Sequence, residues 1–310
     1  VDATTPAPLA LAPADPPVRP RFPLPLRLCG WFSRIAPMGR GTFHIARAAR
    51  NRIASARRRG IFRNPDGLIL DLDLDTYPDF AMAVSLYELD TLRVIRRLLR
   101  PGDRVVDAGA NIGYFALHVA RLVGPTGRVQ CFEPDPLNRA RLVNHLAWNR
   151  AADIVQVYPV AVGETRATLT LHHPAASEGN HGQATLFASL APTGQTFDVP
   201  VVPLDDLVTD PPLVKPPRLI KMDIEGAELS AFKGMSNLLR ATPAPAILFE
   251  HNPTTARAAG FEPGALFEHL LSLDPRWTLH QITRTLNPIP TPTDLTALSK
   301  ESNILATRLD

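Results

Sequence analysis

The chain has 310 residues, of which 45% are hydrophobic and 20% are charged. A chain of this length and composition can bury a sizeable core, which excludes a fold held together only by disulfides or metal ions. Its two cysteines lack zinc-ligand spacing, no apolar stretch approaches the roughly 18 residues of a membrane span, and no signal-peptide pattern is present, so we expect a cytoplasmic protein.

The net charge of +3 hides an uneven distribution of charge. Residues 1–65 carry 12 arginines against two acidic residues, a net charge of +10. Residues 1–37 are rich in proline and alanine, and residues 40–59 could form a basic helix. We therefore expect residues 1–60 to be a partly disordered basic extension with at most weak contact to an anionic surface, and residues 61–310 to form one domain; nucleic acid is not a favoured partner.

Strand and helix patterns alternate after residue 60. Helices are predicted over 85–99, 112–123, from Asp135-Pro136 onward, 229–239 and 266–273. Strands are predicted over 67–73, 104–108, 128–133, 154–162, 167–173, 197–204, 218–225, 246–250, 277–283 and 303–309. This alternation is typical of an α/β protein with helices on both faces of a sheet.

The stretch VVDAGANIG (105–113) ends a strand and enters a helix. Ligands of parallel α/β sheets bind beyond the carboxyl ends of the strands. Gly109 and Gly113 permit a tight turn close to a ligand, and Asn111 tolerates left-handed dihedral angles. Asp107 at the strand end suits a cation such as an ammonium group.

Glu133 ends the next strand, 20 positions after Gly113. An acid at this spacing accepts the hydroxyl protons of a ribose. Together with Asp107 it indicates a nucleoside that carries an ammonium group, which is S-adenosylmethionine. The alternative is a nicotinamide-dependent oxidoreductase. Two residues argue against it, because Asn111 stands where the dinucleotide-binding motif has a glycine and Asp107 would repel the phosphates of the cofactor.

Six stretches follow one another along the chain: YELDTLRVIRRLLRPGD, DAGANIGYF, FEPDP, PLDDL, LIKMDIEGAELSAFKGM and NILATR. Together they resemble the FkbM family of S-adenosylmethionine-dependent methyltransferases. The resemblance runs from about residue 67 to the end. It implies a Rossmann-like seven-stranded methyltransferase sheet and O-methylation of a sugar, glycan or secondary-metabolite hydroxyl. The cofactor contacts expected are Asp107, Gly109, Ala110, Asn111, Gly113, Glu133, Asp135 and Ala161. A non-catalytic scaffold with a relic methyltransferase fold remains as a further alternative.

The acceptor side should lie at the ends of two later strands, in KMDIEGAE (221–228) and LFEHNP (248–253). One hypothesis makes His251 or Asp223 the base that takes the acceptor proton, with Glu225 beside it. A second places a divalent ion on the acids and His251, which is possible but not favoured. A third is structural, with Glu225 capping the next helix and Lys221 paired to an acid.

Two further groups of side chains have weaker signals. Tyr87 and Glu88, before the first strand of the turn motif, could close over the methionine end of the cofactor, although core or surface roles are equally open. His172, His173 and His181 lie in a polar segment without ligand spacing, so we expect them to be solvated.

Overall fold

The structure is a computed structural model that describes residues 7–21, 24, 28, 46–48, 50–175, 184–191, 193–208 and 216–308. Its elements in chain order are β1 (Arg59–Arg63), β2 (Ile69–Asp73), α1 (Tyr77–Ala83), α2 (Leu89–Leu98), β3 (Arg104–Ala108), α3 (Tyr114–Val123), β4 (Arg128–Phe132), α4 (Pro136–Trp148), β5 (Val155–Tyr158), β6 (Ala161–Val162), β7 (Ala167–Pro174), β8 (Gly194–Val202), α5 (Leu204–Val208), β9 (Leu219–Met222), α6 (Glu228–Lys233), α7 (Ser236–Arg240), β10 (Ala246–His251), α8 (Pro253–Ala258), α9 (Gly264–Leu273), β11 (Trp277–Ile282), β12 (Leu286–Ile289), α10 (Pro292–Thr296) and β13 (Ser302–Arg308).

The central sheet has the strand order β12-β11-β13-β10-β9-β3-β4-β5. The five strands from β10 to β5 are parallel, whereas β13 is antiparallel to both of its neighbours. The strand order reverses between β3 and β9, so the carboxyl ends of these two strands form the crevice where ligands of such sheets bind. The fold class is the mixed α/β sheet that the sequence indicates.

One strand more is present than the seven expected. The extra strand, β12, pairs with β11 at the edge of the sheet. Its sequence contains Pro288, and three of its four residues are exposed, so it lacks the alternation that identifies a strand in a sequence. Proline is compatible with an edge strand because one side of such a strand needs no hydrogen-bond donors.

Two hydrophobic clusters cover the two faces of the central sheet. One contains Leu92 and Ile95 of α2, Leu117 of α3 and Leu142 of α4. The other contains Phe232 of α6 together with residues of α7 and α9. Helices therefore lie on both faces, as the alternating pattern predicts.

A second, three-stranded sheet lies over the carboxyl ends of the central strands. We call it the small sheet; its order is β6-β8-β7, with β7 and β8 antiparallel. The sequence predicts the β7–β8 pair, while the short β6 joins β8 in parallel. Leu171, Val199 and Val201 form its buried apolar layer.

The predicted helix over 229–239 is interrupted. It is divided into α6 and α7 around Gly234. A Cβ at Gly234 would lie 1.9 Å from the carbonyl oxygen of Gly163, so the backbone of the small sheet approaches too closely for any other residue. This contact between elements distant in the chain has no signal in the helical pattern.

The basic segment 40–59 is helical only in part. Residues 46–48 and 50–51 are helical, a 3-10 turn covers Ser55–Arg57, and β1 begins at Arg59. Ala46 and Ile53 are buried in the core, so the segment packs on the domain through its apolar residues. Phe43 and Ala49 of the predicted apolar face lie outside the described residues. Among the described residues, no helix combines the length and apolar character that crossing a membrane requires.

Candidate cofactor and acceptor site

The turn after β3 has the left-handed backbone expected from its residues. Gly109, Asn111 and Gly113 have φ values of +74°, +50° and +85°. A Cβ at Gly109 would lie 1.8 Å from the carbonyl oxygen of Asp223, at the end of the neighbouring strand β9. Glycine is therefore required here by both conformation and space, and the turn and the end of β9 form one wall.

Glu133 lies directly after β4 and faces this turn. Its Oε2 accepts a hydrogen bond from the backbone N–H of Asn111 at 2.6 Å, and its Oε1 accepts one from Asp135 at 2.9 Å. Burial raises the pKa of the carboxyl to about 8, although these two amides oppose the shift. Each oxygen keeps a second lone pair, so the carboxylate can still accept two ribose hydroxyls.

A cavity opens at the ends of β3, β4 and β9. Of the expected cofactor contacts, Gly109, Asn111, Glu133 and Ala161 line it. Apolar side chains cover the part near Glu133, and Leu171 and Leu186 come from the small sheet and the segment that follows β7. A flat apolar heterocycle next to a ribose would fit these walls.

The other four expected contacts do not line this cavity. Gly113 lies against α4, where a Cβ would come within 2.4 Å of Leu142 Cδ1. Ala110 donates its backbone N–H to the carbonyl of Phe132 at 3.2 Å and supports the turn. Asp107 and Asp135 pair with other residues of the protein, and a direct contact of these four residues with the cofactor stays a prediction.

Asp107 lies next to Lys221 across the sheet. The two residues are register partners on β3 and β9, with Lys221 Nζ 3.7 Å from Asp107 Oδ1. Neither oxygen of Asp107 accepts a hydrogen bond within the described residues. Burial raises the pKa of Asp107 to about 6, although the Lys221 cation lowers it. The cation nearest to Asp107 is thus a lysine of the protein.

Asp135 is fully buried and links three parts of the site. Its Oδ1 accepts hydrogen bonds from the backbone N–H groups of Leu137 and Asn138, which caps α4 as the sequence predicts. Its Oδ2 pairs with Nδ1 of His173 on β7. His173 is therefore a partner of a buried acid and not a solvated loop residue; His181 lies outside the described residues.

The acceptor end of the cavity is strongly acidic. Asp223, Glu225 and Glu250 each place one carboxylate oxygen within 4.8 Å of the others. All three line the cavity, together with Glu88 and Glu301. Burial, then the Asp223 charge, raises the pKa of both Glu225 and Glu250 well above the usual range. The pKa of Glu250 rises to about 12, so this carboxyl keeps its proton at neutral pH unless a cation displaces it, and the same causes favour the protonated form of Glu225.

Asp223 differs from its two neighbours because it has a cation beside it. Lys221 Nζ lies 3.3 Å from Asp223 Oδ2. Burial of Lys221 is outweighed by the Asp223 and Asp107 charges, which raise the pKa of the ammonium group. Lys221 therefore remains charged, and its ammonium group donates a hydrogen bond to Asp223.

His251 does not reach this cluster. Successive residues of a strand point to opposite faces of the sheet, and His251 is on the face of β10 opposite to Glu250. Its Nε2 donates to the carbonyl of Leu298 at 2.9 Å, and its Nδ1 is buried without a partner in the described part of the chain. Burial lowers the pKa of the imidazole. The sequence hypothesis that His251 is the base is not supported by this geometry.

The turn after β9 is held by a residue that the sequence analysis did not single out. Glu228 accepts hydrogen bonds from the backbone N–H groups of Ile224 at 3.2 Å and Gly226 at 3.1 Å. This holds Glu225 in a left-handed conformation, with φ of +51°. Glu225 makes no cap for α6. The sequence does contain one signal for this contact, an acid three residues after Glu225, because a side chain at this spacing can accept hydrogen bonds from the turn before it.

Tyr87 and Glu88 complete the cavity on the side of α2. Both line it, as one of the two sequence hypotheses for them suggested. Glu88 accepts a hydrogen bond from Nδ2 of Asn303 on β13 at 2.8 Å. Glu88 thus provides a carboxylate at the end of the cavity remote from Glu133, where an ammonium group would be stabilised.

The comparison with known families identifies one model. The Methyltransferase FkbM domain matches residues 107–277, more than half of the chain. The matched range begins at Asp107 and contains the turn, Glu133, and the acids of β9 and β10.

Curated relatives are similar to this chain over part of its length. The 31-O-demethyl-FK506 methyltransferase FkbM of Streptomyces tacrolimicus is 32% identical over 45% of this chain and 62% of its own. Methyltransferase 1 of Beauveria bassiana is 27% identical over 43% of this chain and 58% of its own. The hexuronic acid methyltransferase AglP of Haloferax volcanii is 26% identical over 50% of this chain and 59% of its own. The chain thus matches about three fifths of the length of these relatives.

Among solved structures, an S-adenosylmethionine-dependent O-methyltransferase from Thermotoga maritima aligns with 81% of this chain and 78% of its own, at 14% identity and a TM-score of 0.41.

The family match, whose model covers the turn and both acidic strand ends described above, confirms the resemblance found in the sequence. The chain belongs to the FkbM family of S-adenosylmethionine-dependent methyltransferases.

Proposed function

We propose that this protein transfers the methyl group of S-adenosylmethionine to a hydroxyl of a sugar, glycan or secondary metabolite. The observation that carries the proposal is the cavity itself, which has a ribose-type acid at one end and a cluster of carboxyls at the other. The sulfonium, when bound, supplies an activated methyl group. Residues 61–310 would form the methyltransferase domain, with residues 1–60 as its extension.

Glu133 would hold the ribose hydroxyls, and Glu88 would face the ammonium group. The turn at Gly109 and Asn111 would let the nucleoside lie against backbone. Two of the relatives are a 31-O-demethyl-FK506 methyltransferase and a hexuronic acid methyltransferase, which supports a hydroxylated small-molecule or glycan acceptor.

We propose Asp223 as the base that takes the acceptor proton. A neutral hydroxyl is a poor nucleophile until it loses its proton, so a carboxylate that is ionised near the acceptor is needed. Asp223 lies on the cavity wall with Lys221 beside it, whereas burial and the Asp223 charge favour the protonated forms of Glu225 and Glu250. These two can donate hydrogen bonds to an acceptor oxygen and orient it.

The test compares two substitutions in the same assay. We expect Asp223→Asn to lower kcat by about a hundredfold or more while the affinity for S-adenosylhomocysteine changes less than threefold. We expect His251→Asn to leave kcat within a few-fold of wild type, because His251 does not line the cavity. A loss of kcat in His251→Asn equal to that in Asp223→Asn, without a loss of stability, would contradict the assignment of the base.

The three carboxyls could alternatively hold a divalent ion. Ion binding would displace the protons of Glu225 and Glu250, so it would strengthen as pH rises. A chelator separates the two states of the cluster: loss of activity with chelator and its recovery with magnesium would identify the ion-bound state. Methyl transfer by the chelated protein would identify the state in which the carboxyls carry protons. A protein that binds the cofactor but methylates no hydroxylated acceptor would favour the alternative of a non-catalytic scaffold.

A further inference from the structure

A second groove opens beside the cofactor cavity. It has a volume of about 660 Å³, within the range of sites for small molecules. Glu225 and Glu301 line both the groove and the cavity. A molecule in the groove could therefore present one group to the acidic end of the cavity while the rest of it stays outside.

The walls of the groove are rich in hydroxyl and amide groups. Its polar uncharged lining residues are Thr185, Asn252, Thr254, Thr255, Thr296 and Ser299. The hydroxyls of Thr185 and Thr296 are already engaged with backbone groups. Those of Thr254 and Ser299 are on exposed residues, and no side-chain hydrogen bond to them occurs among the described residues. The groove thus offers free polar groups to a hydroxylated molecule and little apolar surface to a hydrophobic one.

One basic residue, Arg257, lines the groove within the described part of the chain. Arg257 is exposed, and its guanidinium forms no ion pair or hydrogen bond with the described residues. The planar guanidinium presents paired donors that match a carboxylate or phosphate. An unpaired guanidinium on the wall of a polar groove is suited to recognise an anionic group.

The acidic residues Glu225 and Glu301 line both the groove and the cavity, whereas Arg257 lines the groove alone. Arg257 lies in the last turn of α8, about 6 Å along the helix axis from Pro253, the first residue of that helix. An anion at Arg257 would therefore be held within the groove and not at its acidic boundary with the cavity.

We propose that this groove binds the methyl acceptor and that the acceptor is a hydroxylated molecule with an anionic group, a carboxylate or a phosphate, which pairs with Arg257. This inference rests on the proposed function, since it names the class of acceptor for the same site. Arg257 is then a specificity-determining residue, and the hydroxyl to be methylated lies toward Asp223.

The test measures sugar binding to the protein saturated with S-adenosylhomocysteine. A methyl glucuronide, glucose 6-phosphate and an uncharged methyl glucoside are titrated separately by calorimetry. We expect at least one anionic sugar to bind about tenfold to a hundredfold more tightly than the glucoside, the range for a hydrogen-bonded charge pair. Comparing the glucuronide with the phosphate distinguishes the two sources of negative charge.

Three variants make the result specific to Arg257. Arg257→Gln should bind all three sugars equally weakly, and Arg257→Lys should keep part of the preference because it keeps the charge. Arg97→Gln removes an exposed arginine on α2, outside the groove, and should leave the preference unchanged. Binding of S-adenosylhomocysteine should be the same in all three.

The possible failures are distinguishable. Equal affinities for the three sugars, no binding of any of them, or an unchanged preference in Arg257→Gln would overturn the groove proposal while methyl transfer could stand. A protein that does not bind S-adenosylhomocysteine would contradict the proposed function as well, and this is seen before any sugar is added.

Discussion

Two buried carboxylates on neighbouring strands have different surroundings and hence different roles. Glu133 receives two backbone N–H groups and faces the cavity, whereas Asp107 has no hydrogen bond within the described residues and faces Lys221. Both were expected to hold the cofactor directly. The geometry supports that role for Glu133 and a charge-balancing role for Asp107, and each role predicts a different response to substitution.

We expect the affinity for S-adenosylhomocysteine to rise about tenfold or more between pH 6.5 and pH 8.5. The pKa of Glu133 is about 8, so the carboxyl is mostly protonated at the lower pH, and ribose hydroxyls donate better to its ionised form. Glu133→Gln should bind at least tenfold more weakly at pH 8.5 and lose the pH dependence, as measured by calorimetry. The exposed Glu262→Gln is the control; a pH-independent affinity in wild type would contradict the role of Glu133.

Lys221→Met should lower the free energy of unfolding by about 3 kcal/mol at pH 8, because it leaves the buried Asp107 charge without its partner. Asp223 is affected less, since 28% of its side chain is exposed and water can replace the lysine. The pKa of Asp107 is already raised from 3.8 to about 6, so its protonated form stabilises the fold in acid and this contribution is lost as pH rises.

Without Lys221 the pKa of Asp107 rises further, so the loss in Lys221→Met should be smaller at pH 5 than at pH 8. Urea unfolding at the two pH values measures it. Combining Lys221→Met with Asp107→Asn should recover most of the stability at pH 8. An equal loss at both pH values would indicate that Lys221 acts by packing alone.

At the scale of elements, the site is formed where two turns meet. The turn after β3 passes so close to the end of β9 that Gly109 touches the backbone of Asp223. The turn after β9 is in turn held by Glu228, whose pKa is raised by burial to about 7. Displacement of either turn should therefore move the proposed base relative to the cofactor.

Gly109→Ala tests this contact. A Cβ at Gly109 would be 1.8 Å from Asp223, and we expect a loss of about 3 kcal/mol or more in unfolding free energy together with loss of S-adenosylhomocysteine binding. Gly67 is the matched control because its φ of +78° is close to the +74° of Gly109, yet a Cβ there meets nothing within 4 Å. Gly67→Ala should cost only about 1–2 kcal/mol and leave binding intact. Equal effects of the two substitutions would show that backbone conformation matters and the contact does not.

At the scale of the whole molecule, the small sheet is attached to the central domain over the cavity. His173 of β7 pairs with the buried Asp135, whose own backbone N–H binds Glu133. Leu171 of the same strand lines the cavity. The position of this cover thus depends on a bond between two units that are distant in the sequence.

We expect His173→Ala to lower the unfolding free energy by about 1.5–3 kcal/mol, because it removes a bond to a charged group and leaves Asp135 Oδ2 buried without it. Dissociation of S-adenosylhomocysteine, followed by stopped-flow fluorescence, should become several-fold faster as the small sheet loosens. His172→Ala is the control, since adjacent residues of a strand point to opposite faces. Equal dissociation rates in the two variants would argue against this role of the small sheet.

The sequence by itself determined most strands and the longer helices of the central sheet in their order, the left-handed turn at Gly109, Asn111 and Gly113, the cap at Asp135 and the family. These features are local, since apolar periodicity, glycine conformation and capping depend on residues a few positions apart. For the same reason the proline-containing edge strand β12 and the break at Gly234 were missed, because their causes lie in distant parts of the chain.

Only the tertiary structure decided which functional side chains meet. Neighbouring residues on a strand face opposite sides of the sheet, so the choice between Glu250 and His251 depends on the orientation of β10 relative to the cavity. Strand order likewise placed Lys221 beside Asp107, which gave that acid a partner within the protein. The groove at Arg257 has the same origin, because it joins α8 to the segment before β13, and no local pattern in the sequence records a contact between separate elements.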